Sequence, residues 1–206
     1  MPRVSRAETK KNRGKIQQAS ARLFREQGFK ASVVDVMSAA GLTHGGFYGH
    51  FRSKDALMAN ACATAFAESV ERWRKRIGGA RDRQSAHAAL IEGYLTPPNR
   101  ESMGTSCPIA ALATDVAREV EGKPVRKVFR EGLEQLLDLL TEVQPPTGVD
   151  ARDAALAELA TLVGAMVLAR ATEGGGLSDE FVNSARRSLL EVRENPPAAS
   201  RRNRGR

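Results

Sequence analysis

Apolar residues recur along most of the chain at intervals of three and four, the spacing that places them on one face of a helix. The first such stripe contains Ile16, Ala19, Leu23 and Phe24, and Gly28 is placed to stop it. Further stripes follow between Gly and Pro pairs, and no segment has the pattern of a strand. The sequence therefore predicts an all-α fold, with helices over 10–27, 33–40, 44–51, 54–77, 84–95, 108–120, 123–143, 150–172 and 179–193.

Two short helices over about 32–51 have the length and tight connection of a helix-turn-helix motif. Ser32 and Asp35 stand three residues apart and are placed to cap the first helix reciprocally. Gly41 ends that helix, and Thr43 is placed to cap the next one. In such motifs the second helix enters the major groove of DNA.

The second helix of the motif is rich in glycine. Each Gly costs roughly 1 kcal/mol relative to Ala in a helix, so neighbouring elements must hold this segment. Phe47 and Phe51 lie four apart and are placed to anchor it, and we assign them no role on DNA. The opposite face is bare enough for a close approach to bases and phosphates, and it carries His44, Gly45, Tyr48 and Gly49.

A cation stands where the following helix begins. Lys54 lies in the first turn, where a positive charge opposes the helix dipole. A bound phosphate would reverse that effect, because the free backbone N–H groups and the ammonium would both face it. The sequence therefore predicts that Lys54 holds a DNA phosphate.

The charge of the chain is unevenly distributed. The net charge is +8; residues 1–60 hold eleven Lys or Arg against four acids, whereas residues 61–194 are mildly acidic. A basic head favours a nucleic-acid partner. The tail over 195–206 has four Arg and no large apolar residue, which predicts disorder.

Both basic ends of the chain are open to two interpretations, a solubilising segment or an additional clamp on DNA. The cations of the N-terminal arm are Arg3, Arg6, Lys10 and Lys11, and those of the tail are Arg201, Arg202, Arg204 and Arg206.

The two cysteines, Cys62 and Cys107, are too few for a disulfide framework. No window reaches the ~18 to 20 uninterrupted apolar residues of a membrane span, so we expect a cytoplasmic protein without a membrane partner. Cys62 is expected to be a small buried residue. Cys107 precedes Pro108 at a predicted helix start, where a thiolate is stabilised. It is a candidate redox or electrophile sensor, with a buried or pocket-lining thiol as the alternative.

Enzymatic chemistry has little support in the sequence. His44 and His50 belong to the head, and no Cys or carboxylate cluster surrounds His87, so we predict no metal site and no cofactor. A catalytic triad is equally unsupported. Besides a sequence-specific DNA-binding protein, two alternatives remain: a helical enzyme with an incidental helix-turn-helix, and a non-specific nucleic-acid binder. Competition by unrelated DNA would separate the second from a sequence-specific protein.

The segment SVVDVMSAAGLTHGGFYGHFRSKDAL, from Ser32 to Leu57, resembles the DNA-binding signature of the TetR family of regulators. With the first helix included, the resemblance covers residues 16–57. It implies an all-helical, omega-shaped homodimer with a three-helix DNA-binding head over 1–52, about six further helices for ligand binding and dimerisation over 53–194, and the basic tail over 195–206. Its partners would be a palindromic double-stranded operator and an unknown small-molecule inducer, and repression is the family's usual mode.

The resemblance also implies roles for single residues. Phosphate contacts would come from Ser32, Thr43, Tyr48 and Lys54, and base or backbone contacts from His44, Gly45, Gly46 and His50. The chain departs from the family at Gly49, where a larger side chain is common, and at His44, which replaces a frequent lysine.

For the body, the resemblance implies dimerisation through the last two helices. Their apolar faces would be supplied by Leu159, Leu162, Val163, Met166, Leu189 and Leu190. The stretch SCPIAALATDVARE around Cys107 is similar to the corresponding helix of some TetR-type regulators, including electrophile-sensing ones with a reactive cysteine.

Overall fold

The computed structural model describes residues 6–146 and 148–191, and this part of the chain contains helices and turns without a strand. The helices are α1 (Arg6–Gln27), α2 (Val33–Ala39), α3 (Lys54–Gly78), α4 (Arg83–Tyr94), α5 (Pro97–Glu101), α6 (Pro108–Arg118), α7 (Pro124–Glu142), α8 (Ala151–Ala171) and α9 (Gly176–Glu191). Short 3₁₀ turns cover Gly28–Lys30, His44–Gly49 and Met103–Thr105. The all-α prediction is confirmed. The predicted basic tail over 195–206 lies outside the described residues.

The first helices pack into a head against the start of α3. Gly28 has a positive φ of 71° and ends α1, as the sequence predicts. Phe29 then turns back onto Phe24, with ring centroids 5.7 Å apart in an edge-to-face arrangement. Val36 and Met37 of α2 join the same buried cluster, so α2 is fixed on α1 by apolar packing.

The long helix α3 connects this head to the rest of the molecule. It packs on α1 at its first half and on α7, α4 and α6 along the body. Most of its buried residues belong to one continuous apolar cluster that includes Leu57 near the head and Trp73 in the body. A displacement of α3 would therefore change the packing of both the head and the body.

Two predictions between residues 43 and 108 are wrong in detail. The expected α-helix over 44–51 is a 3₁₀ turn over His44–Gly49, because three glycines in six residues disfavour a continuous α-helix. The Pro97-Pro98 pair, expected only to separate helices, begins α5. Thr96 caps it by accepting a hydrogen bond from the Asn99 amide (3.3 Å), and proline is well suited to a first helical position.

The apolar residues expected to form the dimer interface lie mainly inside the chain's own core. Leu159, Leu162, Met166 and Leu189 are buried, while Val163 and Leu190 are partly buried against that core. The cause is that α8 uses this face to pack on α9 and α7. The large apolar residues that α8 leaves exposed are Leu156, Val167 and Leu168.

Small residues, among them Ala157, Ala160 and Gly164, lie between these exposed apolar side chains on α8. By length and composition alone this helix could cross a membrane, and 39% of its apolar window is buried. The exposed side of α8 carries no charged residue between Asp153 and Arg170, because Glu158, the one charged residue in that stretch, is buried. We call this face the α8 stripe, defined by Leu156, Ala160, Gly164, Val167 and Leu168.

Candidate nucleic-acid interface

The start of α2 is organised by a reciprocal cap, as the sequence predicts. The Ser32 hydroxyl oxygen accepts from the Asp35 amide (3.1 Å), and the Asp35 carboxylate accepts from the Ser32 amide (2.9 Å) and hydroxyl (2.7 Å). These bonds to Ser32 hold the pKa of Asp35 below its usual value. Ser32 is thus a structural cap within the protein, and its predicted phosphate contact stays a prediction.

The 3₁₀ turn over His44–Gly49 separates an inner face from an outer face. Phe47 is 1% exposed and stacks on buried Phe51, with ring centroids 6.0 Å apart. Tyr48, the next residue, is 73% exposed. His44 is exposed beside it. The phenylalanines anchor the turn as expected, and an aromatic hydroxyl projects from a surface with little other side-chain bulk.

The glycines of this turn are not required by packing within the chain. A Cβ added at Gly45 or Gly49 would meet nothing within 4 Å, and one added at Gly46 would meet only the Met37 side chain at 3.9 Å. None of the three has a positive φ. The open space is therefore on the outside of the turn, where a backbone of another molecule could approach closely.

Thr43 occupies the cap position before this turn without making the expected side-chain hydrogen bond. Its carbonyl oxygen instead accepts from the Gly46 amide (3.1 Å). Thr43 lines a cleft of about 380 Å³ between the start of α1 and the turn. The other residues lining it are Thr9, Asn12, Met37, Leu42, Gly46, Gly49 and His50. The structure thus brings Thr43, Gly46 and His50 together.

Arg13 is a residue of this site that the sequence analysis missed. Its guanidinium lies 4.6 Å from the centroid of the Phe51 ring and donates a hydrogen bond to the His50 carbonyl oxygen (2.5 Å). Both contacts tie α1 to the end of the turn. The sequence offers no signal for them, because they join residues nearly forty positions apart. The Nδ1 of His50 is buried and has no hydrogen-bond partner among the described residues.

Lys54 lies in the first turn of α3 as predicted, and its ammonium is already engaged. The Nζ donates to the Phe29 carbonyl oxygen at 2.7 Å. Its charge also helps to lower the pKa of Asp35. Contacts within the chain thus offset the unfavourable interaction between Lys54 and the helix dipole. The position of Lys54 is therefore no longer an argument for a bound anion. An ammonium has three donors, and the phosphate contact stays a prediction.

Cys107 does not line the cleft at this turn: it occupies the N-cap position of α6 and is 5% exposed. Tyr94 and Arg72 line the same cavity as Cys107, and Arg170 donates to the hydroxyl of the preceding residue, Ser106 (2.6 Å). Arg170 is held in place by donating to the carbonyl oxygens of Asn99 (2.8 Å) and Arg100 (3.1 Å). Cys107 thus lines a cavity that also holds the Arg72 and Arg76 side chains. Cys62 is buried within α3, and burial raises its pKa to about 12.

His87 is buried and pairs with a single carboxylate that the sequence analysis did not identify. Its Nε2 lies 2.9 Å from Glu158 of α8, whose carboxylate also accepts from the Gln144 amide group (3.1 Å). No group of three or more potential metal ligands occurs among the described residues. The pair joins α4 to α8 inside the core and has no place in the interface.

Comparison with known families links the head to a defined class. Residues 16–61 match the family model for bacterial regulatory proteins of the tetR family. An uncharacterized HTH-type transcriptional regulator of Bacillus subtilis (strain 168), YerO, is 34% identical over 108 residues. This alignment covers 42% of the chain and spans 37% of the length of that relative.

Solved structures share the fold over most of the chain. A TetR transcriptional regulator from Chloroflexus aurantiacus J-10-FL is 24% identical with a TM-score of 0.77, covering 92% of this chain and 97% of its own. E. coli NemR in its reduced form is 19% identical with a TM-score of 0.75, covering 88% of this chain and 96% of its own. A TetR family regulator from Agrobacterium tumefaciens is 22% identical with a TM-score of 0.74, covering 89% of this chain and 97% of its own.

Proposed function

We propose that this protein is a sequence-specific transcriptional repressor of the TetR type, because residues 16–61 match the TetR family model and the chain shares its fold with solved TetR regulators. It binds a palindromic operator as a homodimer and releases it when a small ligand binds in the body. Residues 1–52 form the DNA-binding head, and residues 53–194 form the ligand-binding and dimerising body. Its site of action is the cytoplasm.

The observation that carries this proposal is the outer face of the His44–Gly49 turn. Exposed Tyr48 stands among glycines whose missing side chains leave open space. The turn is held from behind by Phe47, Phe51 and Arg13. A bare surface on a rigid support suits close contact with a DNA groove and its phosphates.

Release of DNA is proposed to run through α3. This helix begins beside the turn at Lys54 and continues to Trp73 and Arg76, which line a cavity in the body. A ligand that prefers one position of α3 would change the separation of the two heads in a dimer. The coupling would equal the difference between its affinities for the two states.

The test begins with selection of binding sites from a random DNA pool, followed by affinity measurements on selected and scrambled DNA at fixed salt. We expect a palindrome that Tyr48→Phe and Lys54→Ala each bind more weakly, with a shallower salt dependence for Lys54→Ala, since only that variant loses a cation. Lys127→Ala on α7 is the matched control, since it removes an exposed lysine of the body. Equal affinity for selected and scrambled DNA would instead indicate a non-specific binder.

A second candidate function, electrophile sensing, is favoured by the surroundings of Cys107. The thiol stands at the N-terminus of α6 and lines a cavity together with Arg72, while burial restricts access to small reagents. In this reaction the thiolate adds to a carbon–carbon double bond of the electrophile, and the resulting carbanion takes a proton from water. A covalent adduct in the cavity would then displace α3.

N-ethylmaleimide treatment tests this second function. We expect loss of operator affinity in the wild type and in Cys62→Ser, and unchanged affinity in Cys107→Ser. Complete labelling of Cys107, confirmed by mass spectrometry, with operator affinity intact would exclude the sensing role.

A further inference from the structure

A compact cavity of about 180 Å³ lies in the body, between α3, α4 and the segment from α5 to the start of α6. Its lining includes Arg72, Trp73, Arg76, Gly93, Tyr94 and Cys107. The lining is mainly polar and includes two guanidinium groups. Ligand pockets are usually mostly apolar with few polar groups, so this composition favours a charged occupant.

The two arginines, Arg72 and Arg76, stand one turn apart on α3 and are both half-buried. Arg72 donates to the Ser69 hydroxyl oxygen at 2.8 Å. Burial lowers the pKa of Arg72 and the negative charge of Glu68 opposes this shift, but this carboxylate is already paired with Arg25 at 2.8 Å. Arg76 forms no ion pair within the described part of the chain. The cavity wall therefore carries two positive charges, and no Asp or Glu among the described lining residues balances them.

Burial makes this excess charge unfavourable in the empty cavity. Burial lowers the pKa of both arginines, and for Arg72 the neighbouring positive charge of Arg25 adds to the effect. A cation withdrawn from water is stabilised when an anion pairs with it. An anionic ligand would supply the missing charge.

Tyr94 provides an independent observation. The residue is 2% exposed and lines the cavity, and among the described residues its hydroxyl has only the weakly accepting Cys107 thiol beside it, with no oxygen or nitrogen partner. Burial raises the pKa of Tyr94 well above its usual value, so the group stays a neutral O–H donor. Buried polar groups are normally paired, and an acceptor oxygen in the cavity would pair this one.

Gly93 on α4 sets the position of one arginine. A Cβ added at this glycine would collide with the Arg76 side chain along Cδ, Nε and Cζ. The missing side chain is therefore what lets the Arg76 guanidinium lie against α4 at the edge of the cavity. Substitution here would move a flexible arginine end, with the backbone left in place.

We propose that this cavity binds a small oxyanion, a carboxylate or phosphate group, which receives hydrogen bonds from Arg72, Arg76 and Tyr94. Planar guanidinium groups recognise the paired oxygens of both anions. The rest of the ligand would contact Trp73. The inference rests on the proposed function, because it gives the chemical class of the ligand that acts through α3.

The experiment uses the full chain and the fluorescence of Trp73, the single tryptophan of the sequence. Benzoate, inorganic phosphate and the neutral benzamide are titrated at constant ionic strength, and Tm is measured in parallel. We expect benzoate or phosphate to change the emission saturably and raise Tm, while benzamide leaves both unchanged. The anion that binds more tightly identifies the group the cavity prefers.

Variants assign the effect to the cavity. Arg72→Gln and Arg76→Gln should each weaken anion binding roughly tenfold or more, the loss expected for one charge-assisted hydrogen-bonding partner. Gly93→Ala should also weaken it, by displacing Arg76. Arg74→Gln is the matched control, since Arg74 is exposed on the same helix and does not line the cavity.

Two results would overturn the proposal. One is that Arg72→Gln and Arg76→Gln bind the anion as the Arg74→Gln control does. The other is that neither anion changes emission or Tm at millimolar concentration. Operator binding by the ligand-free protein is measured separately and needs no anion, so failure of this inference and failure of the proposed DNA-binding function are distinguishable.

Discussion

The glycines on the outer face of the His44–Gly49 turn are residues whose proposed role is in DNA contact and not in stability. At Gly45 and Gly49 neither φ nor packing within the chain requires glycine. A residue that costs backbone entropy without a steric reason inside the protein is a sign of contact with something outside it. The proposed partner is the DNA backbone.

We predict that Gly45→Ala and Gly49→Ala keep or raise the stability of the head, by up to about 1 kcal/mol, because alanine restricts the unfolded chain. Both should weaken operator binding, since the added methyl group occupies the space left for DNA. Thermal unfolding and binding isotherms on the same preparations check the two halves. Gly14→Ala on α1, where an added Cβ also meets nothing within 4 Å, is the control. Unchanged operator affinity in both turn variants would contradict a close approach at this face.

At the scale of elements, the start of α4 depends on a carboxylate cap. Asp82 accepts hydrogen bonds from the Ser85 amide and hydroxyl, and these bonds to Ser85 lower the pKa of Asp82 below the ordinary 3.8. A carboxyl group whose pKa is lower in the folded state contributes stability above its unfolded pKa. That contribution is lost as the pH falls through the lower, folded value.

We therefore predict that Asp82→Asn leaves Tm at pH 7 nearly unchanged, because asparagine caps helices about as well as aspartate. Below about pH 4 the wild type should lose Tm more steeply than the variant, since only the wild type must protonate this cap. Circular dichroism melts across this acid range give the comparison. Parallel curves for the two proteins would show that the cap does not contribute to the acid sensitivity.

The elements also show how far the sequence alone could lead. Caps and stops follow from local chemistry, so the Ser32–Asp35 box and the end of α1 at Gly28 were predictable. The α5 helix was missed because a proline pair fits both a breaker and a helix start. Local sequence likewise gives no sign of which side of an apolar helix packs internally. The sequence therefore predicts Leu162 and Met166 in an interface, whereas the structure places both in the core.

Side-chain contacts between distant segments were beyond prediction for the same reason. The pair His87–Glu158, the Arg13 contact with Phe51, and the meeting of Arg72 with Tyr94 and Cys107 all depend on how helices pack. The residues predicted to contact DNA, by contrast, lie within one short segment, from Ser32 to Lys54. A local motif is therefore enough to predict them, and the contacts themselves stay a prediction.

At the scale of the whole molecule, the α8 stripe is an exposed apolar surface on which we expect another protein surface to pack. Its exposed Leu156, Val167 and Leu168 run along one side of a helix whose small residues, Ala160 and Gly164, permit close helix approach. Leaving such a face in water forgoes the favourable burial of apolar surface. A second copy of the chain is the partner we propose, because two heads are needed to read both halves of a palindrome.

Val167→Glu tests this arrangement. In a symmetric dimer the substitution places two carboxylates in one apolar interface, where burying an unpaired charge is costly, so we predict a monomer in sedimentation velocity. Val167 is 42% exposed and Val120, between α6 and α7, is 66% exposed. The same substitution at Val120 is the control and should stay dimeric. A folded monomer of Val167→Glu should also lose the cooperative occupation of both half-sites while keeping weak binding to one. If Val167→Glu sediments as the wild type does, the dimer must use another surface and the α8 stripe needs a different explanation.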